Sequence, residues 1–437
     1  MDAYAETVAY LSGLEVARGW DLSLDRMRAA LERRGHPERT LAAVHVAGTN
    51  GKGSTAAMLE ACLRAGGWRT ALFTSPHLVD FAERIRAGGR TIPREVVVAL
   101  TAELRAAMED AGIALTHFEF VTLLAFEWYA RIDVEAAVIE VGLGGRLDAT
   151  NVLVPRLSIV TSIARDHEAF LGERIDQIAA EKAGIVKPGV PVCVGRLVPE
   201  AAAVVRERAA VVGAPLLRAG IDGTLAAETD GLAFRAPGVV WDRLRVGLRG
   251  AFQHDNAELA LLALSALRAS WPCDASAIRA GLAGVAWPGR LAVVREKPRV
   301  VLDGAHNPAA VAALAAELPA LLGGRETTLV FAAMQDKRWA EELEALLPHV
   351  AEVIVTRVGR RAEQPERIAG YVAGRRPVVV AAEPRAAVRE AIARATFEGA
   401  VLATGSLFLV GEAYAELGAT LFETWHGWEG DGTEPRR

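Results

Sequence analysis

The sequence predicts an α/β fold in two units, a larger one on a mostly parallel sheet and a smaller α/β unit after it. Short β-branched runs alternate with Ala/Leu/Arg-rich helical stretches, the pattern of βαβ units covered on both faces. A glycine-rich turn, Gly48-Thr49-Asn50-Gly51-Lys52-Gly53, separates a strand from a helix. The alternation restarts after Trp287-Pro288-Gly289-Arg290, whose Pro-Gly pair suits a hinge. A length of 437 residues allows two or three domains.

Taken in order, Leu41–Ala47 reads as a strand, Lys52–Gly66 as a helix and Arg69–Phe73 as a strand. Pro93–Ala111 and Glu119–Arg131 read as helices, and Glu135–Val141 as a buried strand. Leu157–Ile163 and Val190–Val194 are strands flanking the helix Ile175–Gly184. The rhythm breaks over 221–250, where Gly223–Ala227, Leu232–Phe234 and Leu244–Leu248 alternate as a small antiparallel patch. Helical periodicity returns at Asn256–Ala269 and Ala275–Ala283. Beyond the hinge, Val300–Leu302, Thr327–Phe331, Glu352–Thr356, Val378–Ala381 and Val401–Thr404 read as strands, with a helix at Pro308–Leu322. The tail from Trp425 reads as frayed.

Composition excludes several classes. With 49 Lys+Arg against 54 Asp+Glu the net charge is −5, not the positive excess of a general nucleic-acid binder. A chain that is 51% hydrophobic and 24% charged is an ordinary globular one. The three cysteines, Cys62, Cys193 and Cys273, are scattered, and they specify neither a disulfide framework nor a thiolate metal site. No apolar run is long enough to span a membrane, and the N-terminus lacks a signal-peptide pattern, so a cytoplasmic protein is expected.

The segment His45-Val46-Ala47-Gly48-Thr49-Asn50-Gly51-Lys52-Gly53-Ser54-Thr55 has the context of a phosphate-cradling loop. Backbone N–H groups in such a turn converge on phosphate oxygens at the positive end of a helix. Lys52 would neutralise phosphate, and the hydroxyl of Ser54 or Thr55 would reach Mg²⁺. The strict G-x-x-x-x-G-K-[ST] pattern fails, because Gly48 lies three residues before Gly51 and Gly53 follows the lysine. A bare strand–helix turn is the competing reading, and the lysine and hydroxyl pair weigh against it.

Glu140 ends the buried run Ala136-Ala137-Val138-Ile139, at the carboxyl edge where ligands bind in open α/β sheets. It reads as an oxygen ligand for Mg²⁺ or as a plain strand-end acid. Ala164-Arg165-Asp166-His167 leaves the next strand at the same edge, so His167 is either a ligand or a loop histidine. Lys182, near a helix C-terminus, reads on its own as a complement to the helix dipole. Asp303 and His306 read as a turn before the helix that starts at Pro308.

HVAGTNGKGST, TSPHLVDFAERI, FEFVTLLAF, EVGLGGRLDATN, TSIARDH, EKAGIVKPG, WPGR and DGAHNP occur in this order over positions 45–308. Together they closely resemble the bacterial folylpolyglutamate synthase/dihydrofolate synthase enzymes of the Mur ligase family. The resemblance implies a P-loop-containing, mostly parallel ATPase domain over 1–290 and a smaller Rossmann-like glutamate-ligase domain over 291–437. It implies an ATP-dependent amide ligase that activates a pterin-bearing carboxylate as an acyl phosphate and joins it to L-glutamate.

By the same resemblance, Asn50, Gly51, Lys52 and Gly53 hold the triphosphate and Ser54 ligates one Mg²⁺. Glu140 and His167 serve a second Mg²⁺, and Lys182 becomes a CO₂-derived carbamate, an oxygen ligand in place of a cation. The catalytic residues are then Lys52, His167 and Lys182. Asn256, Arg290, Asp303 and His306 contact ATP across the hinge, and Asp336 and Lys337 lie toward glutamate. Thr116, His117, Phe118 and Glu119 with Leu147, Asp148 and Ala149 line the pterin site, where Phe118 either stacks on a heterocycle or is a buried aromatic. Ser75-Pro76-His77 shapes the same cleft, and Trp20-Asp21 contribute from the N-terminal region. The sequence departs from relatives at Arg86-Ala87-Gly88-Gly89, where they often carry an asparagine before one glycine. The expected partners are small molecules (ATP, L-glutamate, dihydropteroate or reduced folates), with no nucleic acid, no membrane and a monomeric state. Three alternatives stay open at this point: an enzyme with only one of the two glutamate-adding activities, a peptidoglycan-type amino-acid ligase, and a nucleotide-binding switch without ligase chemistry.

Overall fold

The structure, a computed structural model, describes residues 2–18 and 23–428. The first sheet contains β1 (Ala43–Ala47), β2 (Thr70–Phe73), β3 (Ile85–Ala87), β4 (Arg90–Thr91), β5 (Ala136–Glu140), β6 (Leu157–Val160), β7 (Val192–Val194) and β8 (Leu216–Arg218). Its order is β4-β3-β2-β5-β1-β6-β7-β8, parallel from β2 to β8, with β3 and β4 antiparallel at one edge. Helices cover both faces. Ser54 to Leu63 of the helix Lys52–Ala65 are all buried, between the sheet and the helices Phe252–Leu267 and Ala275–Gly284. The helices Ala3–Arg18, Arg94–Asp110 and His117–Arg131 pack the opposite face. Residues buried on both sides carry no polar stripe, so these strands read as continuous apolar runs.

A three-stranded antiparallel patch follows, β9 (Thr224–Glu228), β10 (Gly231–Ala236) and β11 (Val239–Leu244). Its third strand lies before the Leu244–Leu248 expected from sequence. Trp241 sets the register by stacking on Phe234, ring centroids 5.4 Å apart, and the chain leaves the patch at Leu244. Gly247 N–H then donates to Leu282 O at 2.9 Å.

The last sheet holds β12 (Ala292–Glu296), β13 (Arg299–Leu302), β14 (Thr327–Phe331), β15 (Glu352–Val355), β16 (Val378–Val380) and β17 (Ala400–Thr404). Its order is β12-β13-β17-β14-β15-β16, all parallel except β12. The α/β expectation therefore holds for both sheets.

The expected fraying from Trp425 is corrected for residues 425–428. Residues 423–425 run beside β4, with Thr91 N–H donating to Glu423 O and Trp425 N–H to Thr91 O, each at 2.8 Å. Trp425 packs edge-on against Trp128, and Trp428 Nε1 donates to Ile132 O at 2.8 Å. The two tail tryptophans thus have apolar or hydrogen-bonded seats that the polar, glycine-rich composition of the tail hides. Trp20-Asp21, and the tail beyond 428, lie outside the described residues.

Two helices meet backbone to backbone at Gly281, where a Cβ would stand 2.5 Å from Ala61 O and from Cys62 Cα. Overpacking a filled core costs about 1–3 kcal/mol. Gly281→Ala is expected to lower the urea unfolding midpoint by that equivalent, and an unchanged midpoint would contradict this packing.

Candidate active site

Parallel strands deliver their following loops to one edge, and the register makes three of them level. Val46 pairs with Glu140 and Ala47 with Val160, so the loops after β1, β5 and β6 leave the sheet side by side. In the last sheet Leu302 and Phe331 pair with Ala403 and Thr404. Both carboxyl edges open on one cavity of about 840 Å³. The residues named above for catalysis, metals, ATP and the pterin line that cavity, as do Ser75, Pro76, His77, Asp336 and Lys337. The exception is Thr55, which is buried in its helix, so of the two hydroxyls only that of Ser54 borders the cavity.

The glycine-rich loop is pinned to the end of β6. Thr49 N–H donates to Ser162 O at 2.7 Å, Asn50 N–H to Ser162 Oγ at 2.9 Å, and Thr161 Oγ1 to Asn50 O at 2.7 Å. Gly51 precedes the helix at φ +82°, a conformation costly for other residues, and a Cβ there would lie 2.3 Å from Asn256 Oδ1. Asn256 therefore borders the loop directly. Lys52 Nζ lies 3.2 Å from Thr49 O and 3.9 Å from Glu140 Oε1.

Behind this loop the charges are buried. Burial raises Glu140 to about 7, an effect partly offset by Lys52 and Arg290. Lys182 is also buried, its Nζ donating to Gly48 O at 2.9 Å. Burial, and then the cation of Lys52, lower it to about 7, leaving a large neutral fraction at neutral pH. Lys182 stands in the last turn of its helix, as expected, with its amine turned toward the glycine-rich loop. Burial lowers His167 to about 4, so its imidazole is neutral and suited to a metal. Among the described residues no three His, Cys, Asp or Glu side chains form a ready metal cluster. The Ser54 hydroxyl, and separately Glu140 with His167, are donor types that a divalent cation takes, Mg²⁺ usually drawing further oxygens from phosphate.

Asp166 and Asn307, which sequence reasoning passed over, bind the two sheets together. Asp166 ion-pairs with Lys337, accepts from Asn307 Nδ2 at 3.1 Å and lies 3.8 Å from His306 Nε2. Burial alone would raise its carboxyl, but His306, Lys337 and His167 hold it well below the usual carboxylate range. Asn307 also exchanges amide hydrogen bonds with Asn50 of the glycine-rich loop, at 2.9 and 3.2 Å. The signal for Asn307 was an N-cap before Pro308, read only as a helix start.

Other expected contacts are partly spent on the protein itself. Glu119 accepts from Thr116 N–H at 2.7 Å and from Arg26 at 3.0 and 3.1 Å, a capping box (Thr116-x-x-Glu119) closed by an ion pair. Asp148 accepts from Leu143 N–H and Thr150 N–H and shapes the Gly142-Leu143-Gly144 turn. Asp303 accepts from Leu291 N–H and Ala305 N–H, both at 2.8 Å. Phe118 lies against Gly142, where a Cβ would sit 2.5 Å from the ring, and tilts on Phe73. It is a half-buried aromatic that also lines the cavity.

Two α/β bodies sharing one cavity, with a glycine-rich loop on one side and an Asp-Gly-Ala-His turn on the other, define a nucleotide-dependent ligase architecture. Residues 46–264 match the Mur ligase middle domain and residues 289–407 the Mur ligase glutamate ligase domain. The chain is 36% identical over 357 residues to the dihydrofolate synthase/folylpolyglutamate synthase of Bacillus subtilis, covering 79% of this chain and 83% of that one. It is superimposable at a TM-score of 0.87 (33% identity, 94% and 97% of the two chains) on E. coli FolC in complex with DHPP and ADP. A Yersinia pestis bifunctional folylpolyglutamate synthase/dihydrofolate synthase complexed with AMPPNP and Mn gives 0.85 (32% identity, 96% and 99%). The chain belongs to the Mur ligase family, in its dihydrofolate synthase/folylpolyglutamate synthase branch.

Lys337 and Asp166 are 7% and 8% exposed, and removing one partner of a buried pair costs about 3–5 kcal/mol. Lys337→Met is expected to destabilise the fold by that order at pH 7. Asp166 has a depressed folded pKa, so its stabilisation is present above the unfolded carboxylate value and lost on acidification. The difference from wild type in urea titrations should shrink below about pH 4. A difference independent of pH would contradict the ion pair.

Proposed function

We propose that this chain is a cytoplasmic, monomeric ligase that uses ATP to join L-glutamate to dihydropteroate and to tetrahydrofolate and its glutamyl forms. In this reading its domains span 1–290 and 291–437. The observation that carries it is the single cavity in which the glycine-rich loop, the wall around Phe118 and the C-terminal turns face one another. Relatives named for this activity support it.

Asn50, Gly51 and Gly53 border the triphosphate, and Lys52 supplies its cation. Asn256, Arg290, Asp303 and His306 border the nucleotide from the other side. The pterin lies along Thr116, His117, Phe118 and Glu119 and along Leu147, Asp148 and Ala149, with Phe118 as an apolar face. A carboxylate is a poor acyl donor, so one of its oxygens attacks the γ-phosphorus and the bond to ADP breaks, giving an acyl phosphate. The glutamate amine then attacks the acyl carbon, phosphate leaves, and the amine loses a proton. Both steps need positioning and charge neutralisation more than covalent help from the protein.

Two Mg²⁺ ions fit the donor set, one at Ser54 and one at Glu140, His167 and Lys182; when bound they neutralise phosphate charge. The neutral fraction of the Lys182 amine can add CO₂ with loss of a proton, converting a buried cation into an oxygen donor. Burial favours the neutral amine that this change requires.

With ATP, Mg²⁺ and L-glutamate, phosphate release should depend on dihydropteroate or tetrahydrofolate and should match amide product by mass spectrometry. Release that ignores the pterin would defeat the reading. Lys182→Ala is expected to lower turnover about 100-fold or more, with partial rescue by small carboxylates. Full activity in that variant would remove the carbamate from the mechanism.

A further inference from the structure

Arg86 is 3% exposed, yet its Nε and Nη2 have no hydrogen-bond partner. Its guanidinium lies over two rings, 4.7 Å from the centroid of Trp287 and 4.3 Å from that of Phe422. A buried cation held by aromatic faces rather than carboxylates is tightly restricted in position, because the attraction depends on lying over the rings. Burial lowers Arg86 to about 10, so it stays charged.

Each ring belongs to a different part of the chain. Trp287 stands in the connection between the two sheets, and its indole abuts the glycine-rich loop: a Cβ on Gly53 would come within 2.5 Å of Cζ2. Phe422 stands in the segment that leaves the helix Leu407–Glu416 and returns to the first sheet. That segment bridges in parallel to β4 at Thr91↔Thr424, and Arg86 pairs with the same Thr91. Arg90 Nε donates to Glu423 Oε2 at 3.2 Å. A continuous series of contacts therefore runs from the C-terminal segment through Phe422, Arg86 and Trp287 to Gly53, between the candidate phosphate lysine and the candidate metal serine.

We propose that Arg86, clamped by Phe422 and Trp287, is a positioning residue for the nucleotide, through which the returning C-terminal segment holds Trp287 against the glycine-rich loop. Arg86 does not line the cavity and touches no substrate; it acts on Gly53 through the indole. The inference rests on the ATP-dependent reading above, because it assigns the loop to triphosphate. It explains why the segment crosses from one sheet to the other instead of ending on its own.

The test uses the full-length enzyme with Phe422→Leu, which keeps bulk and removes the π face, and Phe422→Tyr, which keeps the face. Arg86→Lys is a second variant that keeps the charge and loses the planar fork. Binding of AMPPNP with Mg²⁺ is measured by calorimetry, and KM is measured for ATP and for the pterin substrate. Phe422→Leu should weaken AMPPNP and raise the KM for ATP by about 3- to 30-fold, with the pterin KM within about twofold. Phe422→Tyr should stay within about twofold of wild type. Unchanged nucleotide affinity in Phe422→Leu, or equal shifts in both KM values accompanied by a fall in Tm, would overturn the proposal. A wild-type protein that binds no AMPPNP would instead defeat the functional reading, so the two failures are distinguishable.

Discussion

A carboxylate buried at the seam of two sheets must be surrounded by donors, and Asp166 draws most of its donors from the far side. Lys337, Asn307 and His306 all belong to the last sheet's loops, while Asp166 leaves β6 beside His167. The ion pair is nearly dry, so neither partner can be withdrawn cheaply. The Asn50–Asn307 amide pair adds a second link, this one to the glycine-rich loop itself. Asp166 and the Asn50–Asn307 amide pair thus tie the two sheets together beside the cavity.

The first sheet organises this because three adjacent strands end level. Glu140 is held among apolar strands by its register with Val46, Lys182 by the packing of its helix behind the loop, and Lys52 by the helix it opens. Burial raises the acid and lowers the amine, each to about 7, at the wall of the same cavity. Lys52 and Glu140 stand 3.9 Å apart as a loose pair, and Lys182 donates to Gly48 O, so the polar groups of this corner are only partly spent on one another.

Much of this was legible in the chain. The strands 43–47, 136–140 and 157–160 are short β-branched or alanine-rich runs bounded by glycine or polar turns, and their apolar continuity signals burial on both faces. The glycine-rich loop was legible because lysine, hydroxyls and glycines coincide at a strand–helix junction. The third strand of the antiparallel patch was not: Arg245-Val246-Gly247-Leu248 alternates as well as Val239–Leu244 does, and only the stacking of Trp241 on Phe234 chooses between them. Asp166 looked like part of a motif, since its partners lie about 140 and 170 positions away and no local pattern announces them. Thr116-x-x-Glu119 carried a capping-box signature that a ligand-centred reading overlooked. The seat of Trp425 and Trp428 depends on Trp128 and Ile132, distant in sequence, so composition alone suggested a loose end.

In the proposed mechanism Ser54, Glu140, His167 and Lys182 gather cations beside a bound triphosphate. The most direct measurement is anomalous scattering from Mn²⁺ in crystals grown with AMPPNP and bicarbonate. Two ion peaks are expected, one at the Ser54 hydroxyl and one at Glu140, His167 and a modified Lys182. Ion peaks bound elsewhere, with those four side chains contacting no metal, would contradict it.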